Sequence, residues 1–397
     1  MSGAQGLPLA GAVVLDFGHT VMGPSCGLIL ADLGAEVIKI EPVPEGEPTR
    51  FLKGFGTGYF GYFNRNKQSL MVDLKSVEGR EVALRLVARA DVLIENFGPG
   101  TMERLGLGYE TLCEANPRLI YTRLKGFFEG PYQDRVALDE VVQMMTGLAY
   151  MTGPSGRPLR AGTSVVDICG GMFAAIGILA ALRERETTGQ GQLVGSALFE
   201  TAVFLMGQHL CYAAQSSEPV PPMPERVSAW AVYDLFTLAD GSQLFVGITS
   251  DRHWQRFCAA AGRKDLALDD GLATNNQRIA ARPRLMAIMR VLFGALQPAD
   301  AIAICEEASI PFAPIARPED LFEDAHLAAT DGLMRTVLPN GTETRLPRLP
   351  VKLGDRDLGL RSDPPAAGAH SRAVLERFGM TRNEIDRLIA AGVVRAG

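Results

Sequence analysis

Residues 12–41 read AVVLDFGHTVMGPSCGLILADLGAEVIKIE. Ala12-Val13-Val14-Leu15-Asp16-Phe17 is a short apolar run that stops at a glycine turn, the pattern of a buried strand. A helix-like segment over 26–33 follows, and Val37-Ile38-Lys39-Ile40-Glu41 predicts a second strand. The alternation continues outward. Stretches 69–74, 91–95 and 119–124 read as three further strands, and 77–89 as a helix with apolar Val82, Leu84, Leu86 and Val87. Strand and helix repeated in this way predict a doubly wound α/β domain, a parallel sheet with helices on both faces. Such sheets take ligands beyond the carboxyl ends of their strands.

Residues 139–182 have a helical pattern broken at 153–158, and 200–215 is helical again. Four prolines between 219 and 224 cannot continue a helix, so 216–226 reads as a linker after a first domain of 1–215. Beyond it, 232–236 and 243–247 flank Ala239-Asp240-Gly241-Ser242 as a hairpin, with helical stretches at 253–261 and 281–296. These form a smaller α/β domain, 227–330. The tail holds extended segments and a charged helix over 381–390.

Composition narrows the function. Of 397 residues, 39 are Lys or Arg and 45 are Asp or Glu, a net charge of −6, so the basic footprint of a nucleic-acid binder is missing. Six scattered cysteines form no CxxC pair, which speaks against zinc or a disulfide framework and for reduced thiols in the cytoplasm. The opening MSGAQGLPLAG has no signal-peptide pattern. The longest apolar run, 172–182, falls short of the roughly 20 residues of a membrane span.

The loop Gly18-His19-Thr20-Val21-Met22-Gly23-Pro24 is neither GxGxxG nor a phosphate loop. His19 there is either a packed turn residue or a base. The histidines are far apart and no GxSxG elbow is present, so a serine-hydrolase triad has no support. Lys75, Asn96, Phe97 and Arg104 lie at or after predicted strand ends. They suit a phosphate-bearing ligand, or Lys75 and Arg104 are simply solvated charges. Asp167, in Val165-Val166-Asp167-Ile168-Cys169-Gly170-Gly171-Met172, opens an apolar helical run. One reading makes it a helix N-cap. The other makes it a nucleophilic carboxylate held ionised by helix-start N–H groups, with the glycines admitting a bulky substrate.

In order along the chain stand Asp32-Leu33-Gly34-Ala35-Glu36-Val37-Ile38-Lys39-Ile40-Glu41, Asn64-Arg65-Asn66-Lys67, Glu95-Asn96-Phe97-Gly98-Pro99-Gly100 and Gly130-Pro131-Tyr132. Val166-Asp167 with Gly170-Gly171, Thr188-Gly189-Gln190-Gly191-Gln192 and Ile310-Pro311-Phe312-Ala313-Pro314 complete the set. Together they resemble the family III CoA-transferases, the group of formyl-CoA transferase, carnitine CoA-transferase and the 2-methylacyl-CoA racemases. The resemblance implies a large domain built from both chain ends, with 331–397 returning to it, and an interlocked homodimer. It implies a CoA site at Val72, Lys75, Asn96, Phe97 and Arg104. It makes Asp167 the catalytic aspartate and matches Glu140 to an active-site acid. Gly170 and Gly171 would support an oxyanion or loop, and His19 and Val21 would belong to the active-site first loop.

The partners implied are an acyl-CoA and a carboxylic acid. CoA is then a substrate, with no metal and no permanently bound cofactor. Departures from the family pattern are informative. Racemases carry a histidine where this chain has Leu138, which cannot move an α-proton. Formyl-CoA transferase has glutamine at Val21, lysine at Ala137, tyrosine at Asp139 and a glycine-rich lid that 228–232 lacks. Oxalate and formyl specificity are therefore not expected. Arg123, Lys125 and Arg160 point instead to a dicarboxylic acid such as succinate. The competing readings are a non-catalytic acyl-CoA-binding protein and a racemase.

Overall fold

The apolar runs become one seven-stranded sheet in a computed structural model that describes residues 6–225 and 229–397. Part of the signal-peptide stretch, the linker end Arg226, Val227 at the head of the smaller domain and Ser228 of the lid segment lie outside the described residues. The strands are β1 (Val13–Asp16), β2 (Glu36–Glu41), β3 (Lys67–Val72), β4 (Val92–Glu95), β5 (Ile120–Lys125) and β6 (Leu193–Ala197). Beyond them come β7 (Val232–Thr237), β8 (Gln243–Ile248), β9 (Phe312–Pro314), the hairpin β10 (Leu333–Val337) and β11 (Glu343–Pro347), and β12 (Val394–Arg395).

The large sheet has the order β12-β3-β2-β1-β4-β5-β6. Its neighbours are parallel except β12, which runs antiparallel to β3 with Val394 opposite Val72. The order turns around between β1 and β4, so the loops leaving those two strands flank the crevice where doubly wound sheets bind ligands.

Helices cover both faces. On one, α2 (Val77–Val87) sends Val82 and Leu86 into a core with Leu15, Ile38 and Leu93. On the other, α1 (Met22–Asp32) and the long α4 (Val165–Thr188) pack with Val14, Val37, Ile94 and Ile120. Between them in sequence lies α3 (Asp139–Met145). After β6 come α5 (Leu198–Leu205) and α6 (Gly207–Gln215).

Two elements depart from the sequence reading. Gly23-Pro24 punctuates like a turn, yet α1 starts at Met22, because proline is tolerated in a helix's first turn. The helix α4 spans 24 residues, longer than the apolar run suggested, and among the described residues it is the one helix long and apolar enough to cross a membrane. In this fold it lies on α1, β5 and β6.

The chain divides into two compact units, one ending at Pro224 and resuming over Ala328–Gly397, the other Glu225–Leu327. The proline-rich stretch is fastened within the first unit. Val220 O accepts the Tyr150 hydroxyl (3.1 Å), and Met223 N donates to Met151 O (3.0 Å). In the second unit β8 pairs antiparallel with β7 and β9. Helices cover this sheet around a stack of Phe236, Phe257 and Phe293.

Candidate active site

The first loop, Gly18 to Val21, rests on a floor of buried charges. Lys67 Nζ donates to Asp16 (2.8 Å), Asn64 Oδ1 (3.0 Å) and Pro24 O (3.0 Å). Lys39 Nζ donates to Gly18 O (2.7 Å) and pairs with Glu47 (2.5 Å). Burial alone would raise the Asp16 pKa, but Lys67 and Lys39 outweigh it and hold the group below the usual carboxylate range. Arg50 grips Glu41 with two bonds (2.6 and 2.7 Å), and Arg65 grips Asp32 in the same manner. The family-like segments 32–41 and 64–67 therefore build this floor, where each charge meets an opposite one.

The loop above it is locked. Thr20 takes a left-handed conformation (φ +67°), costly for a β-branched residue, and its N–H donates to Glu47 Oε1 (2.7 Å). Asn96, after β4, receives the His19 N–H (2.8 Å) and returns its Nδ2–H to His19 O (2.9 Å). One side chain thus ties the β1 and β4 loops together at the crevice. The His19 ring lies 5.6 Å from Phe97, and burial lowers its pKa, favouring neutral imidazole.

Asp167 lies in the first turn of α4, but it is not the cap. Ser164 holds the N-cap position and makes no side-chain cap bond. The cap comes from another helix. Asp139 Oδ2 accepts Val166 N–H (2.8 Å) and Asp167 N–H (3.1 Å). Gln143 Nε2 donates to Asp139 Oδ1, and Gln143 Oε1 accepts Ala161 N–H (2.8 Å). Helix-start donors therefore do not hold Asp167 ionised as the sequence suggested. Burial and then the Asp139 charge push its pKa up to about 7.

A cleft of about 260 Å³ brings Asp167 together with His19, Val21, Asn96, Phe97, Lys125, Leu138 and Asp139. Pro99, Lys125 and Gln133 also border an adjoining cleft of about 550 Å³, which Arg123, Phe128 and Glu129 help to line. Lys125 is committed to Glu95 (2.8 Å) and Phe97 O (2.7 Å), and Arg123 lies 3.4 Å from Glu103.

Other expected residues fall elsewhere. Glu140 is exposed, paired with Arg160 and absent from the cleft lining, because it points away from the turn face that Asp139 uses. Val72 is 1% exposed within the core, so its side chain offers CoA no contact. Lys75 is exposed beyond β3. Arg104 is exposed and folds back on its own turn, to Thr101 Oγ1 (2.8 Å) and Pro99 O (3.3 Å). Gly170 and Gly171 serve helix packing in place of substrate approach. A Cβ on Gly170 would lie 2.5 Å from Met22 Cε, and one on Gly171 2.8 Å from Met22 O, so they let α1 cross α4 closely.

The sequence reading missed the roles of Asp139 and Gln143. Their spacing of four on one helix, just after Leu138, was the available signal.

A doubly wound sheet with an acid at its switch-point crevice defines an enzyme-like site, and comparison with known proteins identifies the class. Residues 9–371 match CoA-transferase family III. An acetyl-CoA:oxalate CoA-transferase of Acetobacter aceti is 36% identical, covering 88% of this chain and 90% of its own. A succinyl-CoA–D-citramalate CoA-transferase of Chloroflexus aurantiacus is 32% identical, covering 98% of both. The crystal structure of a CAIB/BAIF family protein from Brucella suis superposes with a TM-score of 0.84 at 32% identity, covering 94% of this chain and all of that one. The chain belongs to CoA-transferase family III, and it is a CoA-transferase.

Proposed function

We propose that the reaction runs through Asp167, with a dicarboxylic acid such as succinate as donor or acceptor. The observation that carries this is the Asp167 carboxyl itself. It is largely buried, lines the cleft between the first loop and the β4 loop, and has no cation paired with it among the described residues. Its Oδ attacks the acyl-CoA carbonyl carbon. The C–S bond breaks, and CoA leaves as thiolate with the electron pair. The thiolate then attacks the aspartyl carbonyl of the anhydride, which frees the donor acid and leaves an aspartyl-CoA thioester. The acceptor carboxylate attacks the carbonyl of that thioester and expels CoA thiolate, which forms a second anhydride. The thiolate then attacks the acceptor acyl carbon of that anhydride, and Asp167 leaves as the free carboxylate. One thioester replaces another, so the exchange draws on no other energy source.

Asn96 and Phe97 line the same cleft and are the CoA contacts with most support; Lys75 and Arg104 are the candidates for its phosphates. The names of relatives that act with oxalate, D-citramalate and glutarate favour a small polar acid as acceptor. Leu138, also at the cleft, has no group to remove or return an α-proton, which disfavours racemisation. A homodimer is part of the proposal. Met172 and Ile176 on α4 and Phe204 on α5 are exposed in the single chain, at 48%, 59% and 70%. Apolar surface of this kind is what a partner subunit covers.

The test combines acyl-CoA donors with a panel of mono- and dicarboxylic acids, followed by mass spectrometry. Hydroxylamine added during turnover should leave a hydroxamate at Asp167. Asp167→Asn should fold and lose about 10³-fold or more in activity. Near-normal turnover by that variant, once reversion to Asp by deamidation is excluded, would defeat the assignment. Sedimentation of the wild-type chain as an active monomer at nanomolar concentration would defeat the dimer.

A further inference from the structure

Asp139 is a buried acid that the transfer chemistry above leaves unused, and three donors converge on it: Val166 N–H, Asp167 N–H and Gln143 Nε2–H. It is 6% exposed and borders the Asp167 cleft. No ion pair to a cation is made by either carboxylate among the described residues, although buried charges are ordinarily paired. A simple N-cap would be a serine or aspartate at position 164, and Ser164 is present there without making the bond. The helix is capped instead by a second acid brought in from α3.

We propose that Asp139 is a positioning residue for the transfer reaction: it fixes the first turn of α4 and sets an unneutralised negative charge against Asp167, so that acylation of Asp167 is favoured over the free carboxylate. The inference rests on Asp167 being the nucleophile. The physical reason is charge bookkeeping. When Asp167 Oδ bonds to the acyl carbon, the C–S bond breaks and the negative charge departs on CoA sulfur. The anhydride and the later aspartyl thioester are neutral at Asp167, so the repulsion from Asp139 is relieved in both. The same repulsion makes the free carboxylate more basic and a better nucleophile.

The other charged or titratable groups around the site are His19 from the first loop, Lys125 from β5, Arg135 from the segment before α3, and Cys169 on α4. Lys125 is held by Glu95, and the Arg135 guanidinium lies 4.9 Å over the Tyr132 ring. Burial and Asp139 are the two influences that act on the Asp167 carboxyl.

The experiment is the pH dependence of kcat/KM and kcat for acyl transfer by the full chain. In the wild type kcat/KM should rise with pH through about 7 as Asp167 ionises. Asp139→Asn retains an oxygen acceptor for the Val166 and Asp167 N–H groups and removes the charge. It should move the acid limb down by about one pH unit or more. It should also lower kcat by about 10-fold or more. A cap with only a structural role would lower thermal stability and leave the limb in place, and an unmoved limb in folded Asp139→Asn overturns the proposal. Should that variant not fold, Asp139→Ser supplies a hydroxyl acceptor without charge and carries the same forecast. Failure of the underlying reading looks different, because Asp167→Asn would then remain active. An inactive Asp167→Asn beside an Asp139→Asn with the wild-type limb defeats this inference alone.

Discussion

Two groups of buried charges underlie the active-site elements, and they are built in opposite ways. Under the first loop, Asp16, Lys39, Glu47 and Lys67 alternate in sign, and each carboxylate has an ammonium within 2.8 Å. At the start of α4, Asp139 and Asp167 share one sign and no ion pair relieves them among the described residues. The first arrangement makes a rigid platform, since a buried charge with its partner in place resists movement of either. The second stores reactivity, since a carboxylate that is poorly solvated and repelled gains by forming a neutral covalent bond. A site that must hold a loop still and also expose a nucleophile uses both.

Removing one charge from the platform tests its half of the comparison, and the effect should be the largest. Lys67→Met leaves Asp16 buried beside Gly27 with its main ammonium partner gone. Breaking such a pair costs about 3–5 kcal/mol. Denaturant unfolding of the variant should show a loss in that range, and at low pH the loss should shrink as Asp16 becomes protonated. A loss under about 1 kcal/mol at neutral pH would mean that the pair contributes little to the platform.

The joint between the two regions is the crossing of α1 and α4. Gly171→Ala would bring a methyl group to 2.7 Å from Ser25 Cβ, 2.8 Å from Met22 O and 3.0 Å from Cys26 N. Two of these three are backbone atoms and cannot rotate away. Overpacking of this kind costs about 1–3 kcal/mol. Thermal unfolding should register it, and CoA affinity of the folded fraction should stay near that of the wild type. Unchanged stability with lost CoA binding would return Gly171 to the substrate-approach role that the sequence suggested.

The fold was readable because its signals are periodic. Short apolar runs around Val13–Asp16 and Val92–Glu95, too short for helices and alternating with helix-patterned stretches, read as buried strands, and the helices between them favour parallel pairing. The strands β6 and β12 escaped notice. The first, Leu-Val-Gly-Ser-Ala, has a glycine and a serine where buried strands carry large residues, and the second is two residues long. At the site, Asn96 and Phe97 stood out at a strand end, His19 in the first loop and Asp167 at a helix start, family resemblance gave them roles, and the structure gathers them in one cleft. Asp139 was visible in the chain only as a departure from relatives. Its role depends on α3 meeting the start of α4 across 28 residues of sequence, a contact with no periodic signature. Glu140 shows the converse. It is adjacent in sequence and equally acidic, yet it is exposed and paired to Arg160, since neighbours on a helix point about 100° apart.

The smallest effect bears on the second region, and its sign is opposite to the others. The Asp167 carboxyl ionises near 3.8 when unperturbed and at about 7 in the folded chain. Between those values the folded state holds a proton that the unfolded state has lost. Stability therefore falls as pH rises from about 4 to about 7, and above 7 the loss is constant. Asp167→Asn has no such proton and escapes the loss. At about 1.4 kcal/mol per pH unit the full displacement would amount to roughly 4 kcal/mol. The carboxyl borders an open cleft, where solvent screens much of this, so a gain of about 1–2 kcal/mol at pH 8 is expected. The same variant that abolishes turnover should thus melt higher than the wild type at pH 8, and the two should converge by pH 4. Differential scanning calorimetry across that interval checks both ends. A variant less stable than the wild type at pH 8 would mean that Asp167 is relieved in the folded chain, and the contrast with the platform would collapse.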